Sequence, residues 1–327
     1  GGAGYIGSVV TSLLLDAGHD VVVLDDLSTG HAVAVPQGVR FGRGRVQDRA
    51  ADLLDPSFDG VLHFAAFIAA GESVRHPEKY WENNLVGSLR LLDAMRAAGV
   101  RRMVFSSTAN VYGDPDTMPI PETAATRPPN PYAGSKLAVD HALRDEAAAH
   151  GLSAVSLRYF NVAGAYRCPD GSMIGERHDP ETHLIPIALQ VVAGQREKLQ
   201  LFGDDYPTPD GTCVRDYIHI SDLAAAHLLA LSTMDGVAGP ASAGAGGHRV
   251  YNLGNGSGFS NRDVVEVVRE VTGHPVPVEI SPRRDGDPAA LVASSDKART
   301  ELGWTPALPN LADIVADAWE FNGRELH

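Results

Sequence analysis

Apolar and polar positions along the chain alternate between two periods. Residues 8–18 (SVVTSLLLDAG) place apolar side chains at helical spacing and stop at a glycine, which predicts a helix ending at Gly18. Residues 20–24 (DVVVL) form a short β-branched run that predicts a strand buried on both faces. Residues 60–66 (GVLHFAA) read as a strand running into a small-residue loop. Between Asn83 and Arg96, Leu85, Leu89, Leu92 and Met95 mark one helical face. Residues 102–107 and 153–158 supply two more strands. Strands separated by helices predict an α/β fold on a doubly wound parallel sheet, with its ligand beyond the carboxyl ends of the strands.

Composition narrows the function. The 327 residues, 44% hydrophobic and 21% charged, suit a globular chain of one large domain or two closely joined ones. With 27 Lys+Arg against 41 Asp+Glu, the net charge of −14 argues against a phosphate-backbone binder, so no nucleic-acid partner is expected. No run approaches the roughly 18 apolar residues of a membrane span. Two cysteines, Cys168 and Cys213, exclude a disulfide scaffold and a Cys-rich zinc module. His19, His76, His178 and His274 show no metal-ligand spacing with acids or cysteines and read as surface or packing residues, so no metal site is expected. Residues 236–247 read as a small-residue surface insertion without chemistry.

Candidate chemistry lies in three places. Gly1, Gly4 and Gly7 have the spacing of a turn that brings backbone close to a pyrophosphate and lets the next helix pack closely. Asp25, at the end of the following strand, is placed to accept hydrogen bonds from an adenosine ribose, and its charge favours NAD over NADP. Ser106, Ser107 and Thr108 bring three hydroxyls to a strand end. Tyr132 and Lys136 form a Tyr-x-x-x-Lys pair that shares one face of a helix. An ammonium beside a phenol favours the phenolate and lowers its pKa from about 10, giving a base that works near neutral pH.

With these motifs in view, the chain resembles, almost end to end, the nucleotide-sugar 4-epimerases of the extended short-chain dehydrogenase/reductase family. The resemblance is carried by residues 1–8 (GGAGYIGS), 24–27 (LDDL), 71–74 (GESV), 82–84 (ENN), 106–113 (SSTANVYG) and 132–136 (YAGSK). It continues through 158–161 (RYFN), 183–186 (HLIP), 202–208 (FGDDYPT), 214–219 (VRDYIH) and 282–288 (PRRDGDP). It implies a Rossmann-type NAD-binding domain over residues 1–165 and a smaller C-terminal α/β substrate domain over 166–327, some segments of which return to the first. It implies NAD held by Gly1, Gly4, Tyr5, Ile6, Gly7, Asp25, Phe64, Ala65, Asn83, Ser106, Tyr132, Lys136 and Tyr159. The implied substrate is a UDP-hexose, UDP-glucose or UDP-galactose, held by Thr108, Tyr132, Asn161, Leu184, Phe202, Arg215, Arg284 and Asp287. Arg215 and Arg284 suit the diphosphate, Phe202 the uracil and Asp287 the ribose. In the implied reaction Tyr132 takes the proton of the sugar 4-hydroxyl, directly or through Thr108, while NAD oxidises C4. The keto sugar turns its other face and is reduced again. Lys136 tunes Tyr132, and Ser106 and Ser107 support the loop. A cytoplasmic homodimer pairing helices near 84–97 and 135–147 is also implied.

Several positions depart from the pattern. Arg45 stands where relatives carry an acid near the adenine, and Ile68 where some carry a lysine near the cofactor phosphates. Leu291 falls where a bulky Tyr excludes an N-acetyl group, so some activity on UDP-N-acetylhexosamines is expected. A 4,6-dehydratase needs an acid/base pair directly after position 108, where Ala109 and Asn110 cannot titrate. A uronate epimerase or decarboxylase competes more weakly with the 4-epimerase reading, as does a non-catalytic dinucleotide-binding protein built on the same fold. Because a dinucleotide turn is normally fed by a central strand, about six to eight further residues, including an apolar strand, are expected before Gly1.

Overall fold

Four parallel strands form the centre of the N-terminal half, in the order Gly247–Leu253, Ser153–Tyr159, Arg102–Ser106 and Val61–His63. The computed structural model describes residues 1–234, 246–284 and 287–325. Met103, Val104, Phe105, Val155 and Leu157 are buried because helices cover both faces of this sheet, as their unbroken apolar runs require. On one face Leu92 and Met95 of the Gly87–Ala98 helix and Val139 and Leu143 of the Pro131–His150 helix pack on Met103 and Phe105. On the other, Leu223, Ala226 and Ala230 of the Ile220–Thr233 helix pack on Val104 and Leu157. The edge strand Gly247–Leu253 comes from late in the chain, so the C-terminal part contributes to the first sheet. The predicted insertion at 236–247 lies, over 236–245, outside the described residues.

Val22–Asp25 pairs in parallel with Arg40–Arg43. Among the described residues no ladder joins this pair to the four-stranded sheet. The glycine turn sits between the two. Gly1 nitrogen donates to Leu24 O at 2.6 Å, and a Cβ on Gly1 would lie 2.3 Å from Ala65 N. The helix after the turn runs Tyr5–Asp16, starting earlier than residue 8, because Gly4 is extended and caps it without a side chain. The strand at 60–66 shortens to Val61–His63, leaving Phe64 to Ala66 to line a cleft.

The helix predicted between Asn83 and Arg96 opens with a wider π-type turn, Trp81–Val86, before the α-helix Gly87–Ala98. Asn84 accounts for it. Its amide accepts from Phe67 N and donates to Phe67 O and Ser135 Oγ at 2.9, 3.0 and 3.1 Å, and such bulges recur at functional sites.

In the C-terminal half Val214–His219 pairs with Asn161–Ala163, Gly258–Ser260 and Ala290–Leu291. Leu199–Phe202 pairs in parallel with Val278–Ser281. Ile185 and Leu189, Val264 and Val268, and Ile314 and Val315 bring three helices onto one core with Leu199 and Leu201. Residues between Gly1 and Asn83 line one cleft, and residues between Asn161 and Asp287 line a second.

Candidate active site

Tyr132 and Lys136 occupy the first two turns of the Pro131–His150 helix. Pro131 presets the first helical residue, and Asn130 caps it by accepting from Ala133 N at 2.9 Å. This fixes the tyrosine opposite the end of Arg102–Ser106. There Thr108 is extended, accepts from Asn110 N at 3.2 Å, and so starts the short turn Ala109–Tyr112. Its hydroxyl also hydrogen-bonds the Tyr132 phenol. Lys136 Nζ donates to Ser106 O at 2.8 Å. Burial pushes Tyr132 above its ordinary value of 10.0, against the Thr108 hydrogen bond, and pulls Lys136 down to about 7, against the charge of Asp140. The lowered phenol pKa expected from the sequence is therefore not a property of the protein groups alone, because desolvation outweighs the Thr108 hydrogen bond.

Supporting hydroxyls are tied into the core. Ser107 Oγ donates to Asp140 Oδ2 at 3.2 Å, and Asp140 accepts two further bonds from Arg158 at 3.1 and 2.8 Å. Ser106 hydrogen-bonds Tyr159 and lies 3.4 Å from His227 Nε2. Burial pulls His227 down to about 4, so it is neutral at physiological pH.

A first cleft gathers Gly1, Gly4, Asp25, Phe64, Ala65 and Asn83 with Arg45, Gln47 and Thr29. The buried Asp25 closes the strand end by accepting from Ala3 N at 3.0 Å and Leu27 N at 2.8 Å. Tyr5 points away from this cleft, its hydroxyl donating to Gly164 O at 2.7 Å. Ile6 packs into the core, while Gly7 provides close packing, since a Cβ there would lie 2.2 Å from Gly1 O. Arg45 lines the cleft, whereas Ile68 is exposed.

A second cleft of about 670 Å³ brings together Asn161, Leu184, Phe202, Arg215, Arg284 and Asp287, which come from five separate elements and loops. Thr108 and Tyr132 are not among its lining residues. Arg215 donates to Asp287 Oδ1 at 3.3 Å, and the Arg284 guanidinium lies 3.9 Å from the Phe202 ring centroid.

Comparison with known proteins agrees with this geometry. The model of the NAD dependent epimerase/dehydratase family matches residues 1–254. The chain belongs to this family. A UDP-glucose 4-epimerase of Streptomyces lividans is 58% identical, over 98% of this chain and 94% of that protein. A crystal structure of UDP-glucose 4-epimerase from Brucella ovis in complex with NAD superposes with a TM-score of 0.91 at 45% identity, covering 98% of this chain and 96% of that one. The UDP-glucose 4-epimerase from Bifidobacterium longum, in complex with NAD+ and UDP, gives 0.88 at 37%, covering 99% and 97%.

This member of the epimerase/dehydratase family also has cleft residues that reading the sequence missed. Tyr217 and His183 line the second cleft, and Tyr217 hydrogen-bonds Asn161. His178, read from the sequence as isolated, instead groups with Glu176, Glu181 and His183. The signal was present as Glu-x-His-x-x-Glu-x-His over 176–183. Burial opposes the charge on Glu176, but the two imidazoles hold it down at about 2. The same ion pair outweighs burial at His183 and raises it to about 9.

Proposed function

We propose that this protein interconverts UDP-glucose and UDP-galactose with NAD as a resident cofactor. What supports the reading is the approach of Thr108 and Tyr132 at a strand end, together with one cleft that collects the other six of the eight residues expected to hold the nucleotide sugar. The protein groups fit a dinucleotide. The first turn of Tyr5–Asp16 has no side-chain cap, which leaves backbone N–H groups for a pyrophosphate, and Asp25 closes the adjacent strand. Bound here, NAD would supply the hydride acceptor and donor for C4 of the sugar.

The chain's own residues do the rest. Tyr132 takes and returns the 4-hydroxyl proton, and Thr108 orients that hydroxyl and supports the phenolate by hydrogen bonding. Lys136 would hold the nicotinamide ribose and, in its protonated form, favour the phenolate electrostatically. Arg215 and Arg284 grip the diphosphate with charged hydrogen bonds, Phe202 packs near the uracil and Asp287 holds the ribose, so the hexose itself is free to turn. Residues 1–165 act mainly as the cofactor domain and 166–327 as the substrate domain. A cytoplasmic homodimer through the helices near 84–97 and 135–147 completes the proposal. Exposed Trp81 and Leu89 beside those helices support it, and size-exclusion chromatography with light scattering tests it.

Incubation with UDP-galactose, comparing the parent with Tyr132→Phe, tests the reaction. Conversion to UDP-glucose by the parent and its loss in Y132F are expected. Equal conversion by both would falsify the mechanism, and a 4-keto-6-deoxy product would point to a 4,6-dehydratase instead.

A further inference from the structure

Residues 176–183 fold so that one ligand atom each from Glu176, His178, Glu181 and His183 lies within 4.8 Å of the others. Glu176 Oε1 is central. It lies 2.9 Å from His178 Nδ1 and is hydrogen-bonded to His183 Nδ1. Glu181 closes the group, its Oε2 3.9 Å from His178 Nδ1 and its Oε1 3.6 Å from His183 Nδ1. Four ligands at about 2.1 Å in a tetrahedron stand about 3.4 Å apart, so these separations bracket that arrangement. Two imidazoles and two carboxylates are a donor set for borderline divalent ions, whereas calcium and magnesium prefer oxygen throughout.

Burial gives the group a floor and an opening. The side chains of Glu176 and Glu181 are 6% and 3% exposed, while those of His178 and His183 are 23% and 48% exposed. Once the imidazoles have given up any Nδ1 proton, the group holds two negative charges on buried carboxylates. Nearby Tyr5, whose hydroxyl is already committed to Gly164 O, feels that charge as a contribution additional to its burial. Backbone N–H groups of Thr182 and His183 orient Glu181 Oε1 at 2.7 and 2.9 Å, an outer support of the kind that preorganises metal ligands.

We propose that Glu176, His178, Glu181 and His183 form a binding site for a divalent transition-metal ion of the zinc class at the rim of the second cleft. Each imidazole gives the ion its Nδ1 lone pair, and any proton on that nitrogen leaves to solvent. Glu181, Thr182, His183 and Leu184 also line the cleft, so coordination fixes the loop that carries Leu184. The site stands on these four side chains and does not depend on the proposed epimerisation.

The test is a Zn²⁺ titration of the untagged full chain against a chromophoric chelator, paired with Co²⁺ absorption spectra. One saturable equivalent and the intense visible bands of four-coordinate Co²⁺ are expected. His178→Ala, on the open side of the group, removes the bands and weakens binding by about 100-fold or more, as loss of one of four ligands implies. Glu176→Gln, compared at matched circular dichroism, does the same. Absence of a saturable equivalent, a weak six-coordinate Co²⁺ spectrum, or unchanged affinity in both variants overturns the proposal, the last because binding then lies at other histidines.

Discussion

The side-chain nitrogen of Lys136 is hydrogen-bonded to the Ser106 carbonyl, 2.8 Å away, where the Arg102–Ser106 strand ends. One bond thus ties the helix that carries Tyr132 to the strand whose continuation carries Thr108. Because the nitrogen is buried, its pKa falls from 10.5 to about 7. Between pH 7 and 10 the unfolded chain binds a proton at this position and the folded chain does not, so this lysine makes stability rise with pH across that window. In differential scanning fluorimetry the Tm of the parent should climb relative to that of Lys136→Met from pH 7 to 10. Parallel curves would show that the buried lysine contributes no such linkage.

Thr108 has two hydrogen bonds, one to the Asn110 backbone and one to Tyr132. Loss of a hydroxyl that supports the developing phenolate should lower kcat by about 10-fold or more, and Thr108→Ser should restore most of it. Steady-state assays with UDP-galactose, comparing Thr108→Ala and Thr108→Ser, check this. A serine variant as slow as the alanine variant would mean the methyl group, not the hydroxyl, matters.

Arg284 is held over Phe202 at the rim of the larger cleft. If it contacts the diphosphate, Arg284→Ala should weaken UDP binding by about 10- to 100-fold, the worth of a charged hydrogen bond, measured by titration calorimetry. Unchanged affinity would return this arginine to a packing role on Phe202.

Asp140, one turn beyond Lys136 on the same helix, joins Ser107 to Arg158. Both members of the ion pair are buried, with side chains 2% and 7% exposed. Asp140→Ala leaves the guanidinium charge uncompensated and should cost about 3–5 kcal/mol of stability in urea unfolding. A loss below about 1 kcal/mol would show that solvent reaches Arg158 and offsets its charge.

Leu291 is buried in a small cluster with Val111, Tyr112 and Ile120, against Phe160. It is not among the residues lining the second cleft, so the expectation rests on the resemblance: a leucine where a bulky tyrosine excludes an N-acetyl group should let the parent convert UDP-N-acetylglucosamine measurably. Robust turnover of UDP-galactose with none of the N-acetyl sugar would reject that expectation.

Local pattern made much of this molecule legible. The Gly1 to Gly7 spacing, the apolar run before Asp25 and the Tyr132–Lys136 pair each describe chemistry contained within a few turns of chain, so they can be read without knowing what packs nearby. The helix start at Tyr5 and the π-type turn at Trp81–Val86 were less legible. The first depends on an uncapped glycine, and the second on Asn84 bonding to Phe67 and Ser135, residues 17 and 51 positions away.

Residue order alone carries the alternation of helices and strands and nominates candidate reacting and anion-holding groups. Folding supplied the rest, because burial and charge are summed over neighbours distant in the chain. It lowered Lys136 to about 7 and kept Tyr132 protonated in the protein alone, where the sequence spacing suggested a lowered phenol pKa. It drew Asn161, Phe202, Arg215 and Arg284 from separate segments into one cleft. It also made His178 one corner of a four-residue cluster: the Glu-x-His-x-x-Glu-x-His spacing is local, but only the folded loop brings the imidazole to Glu176 and Glu181.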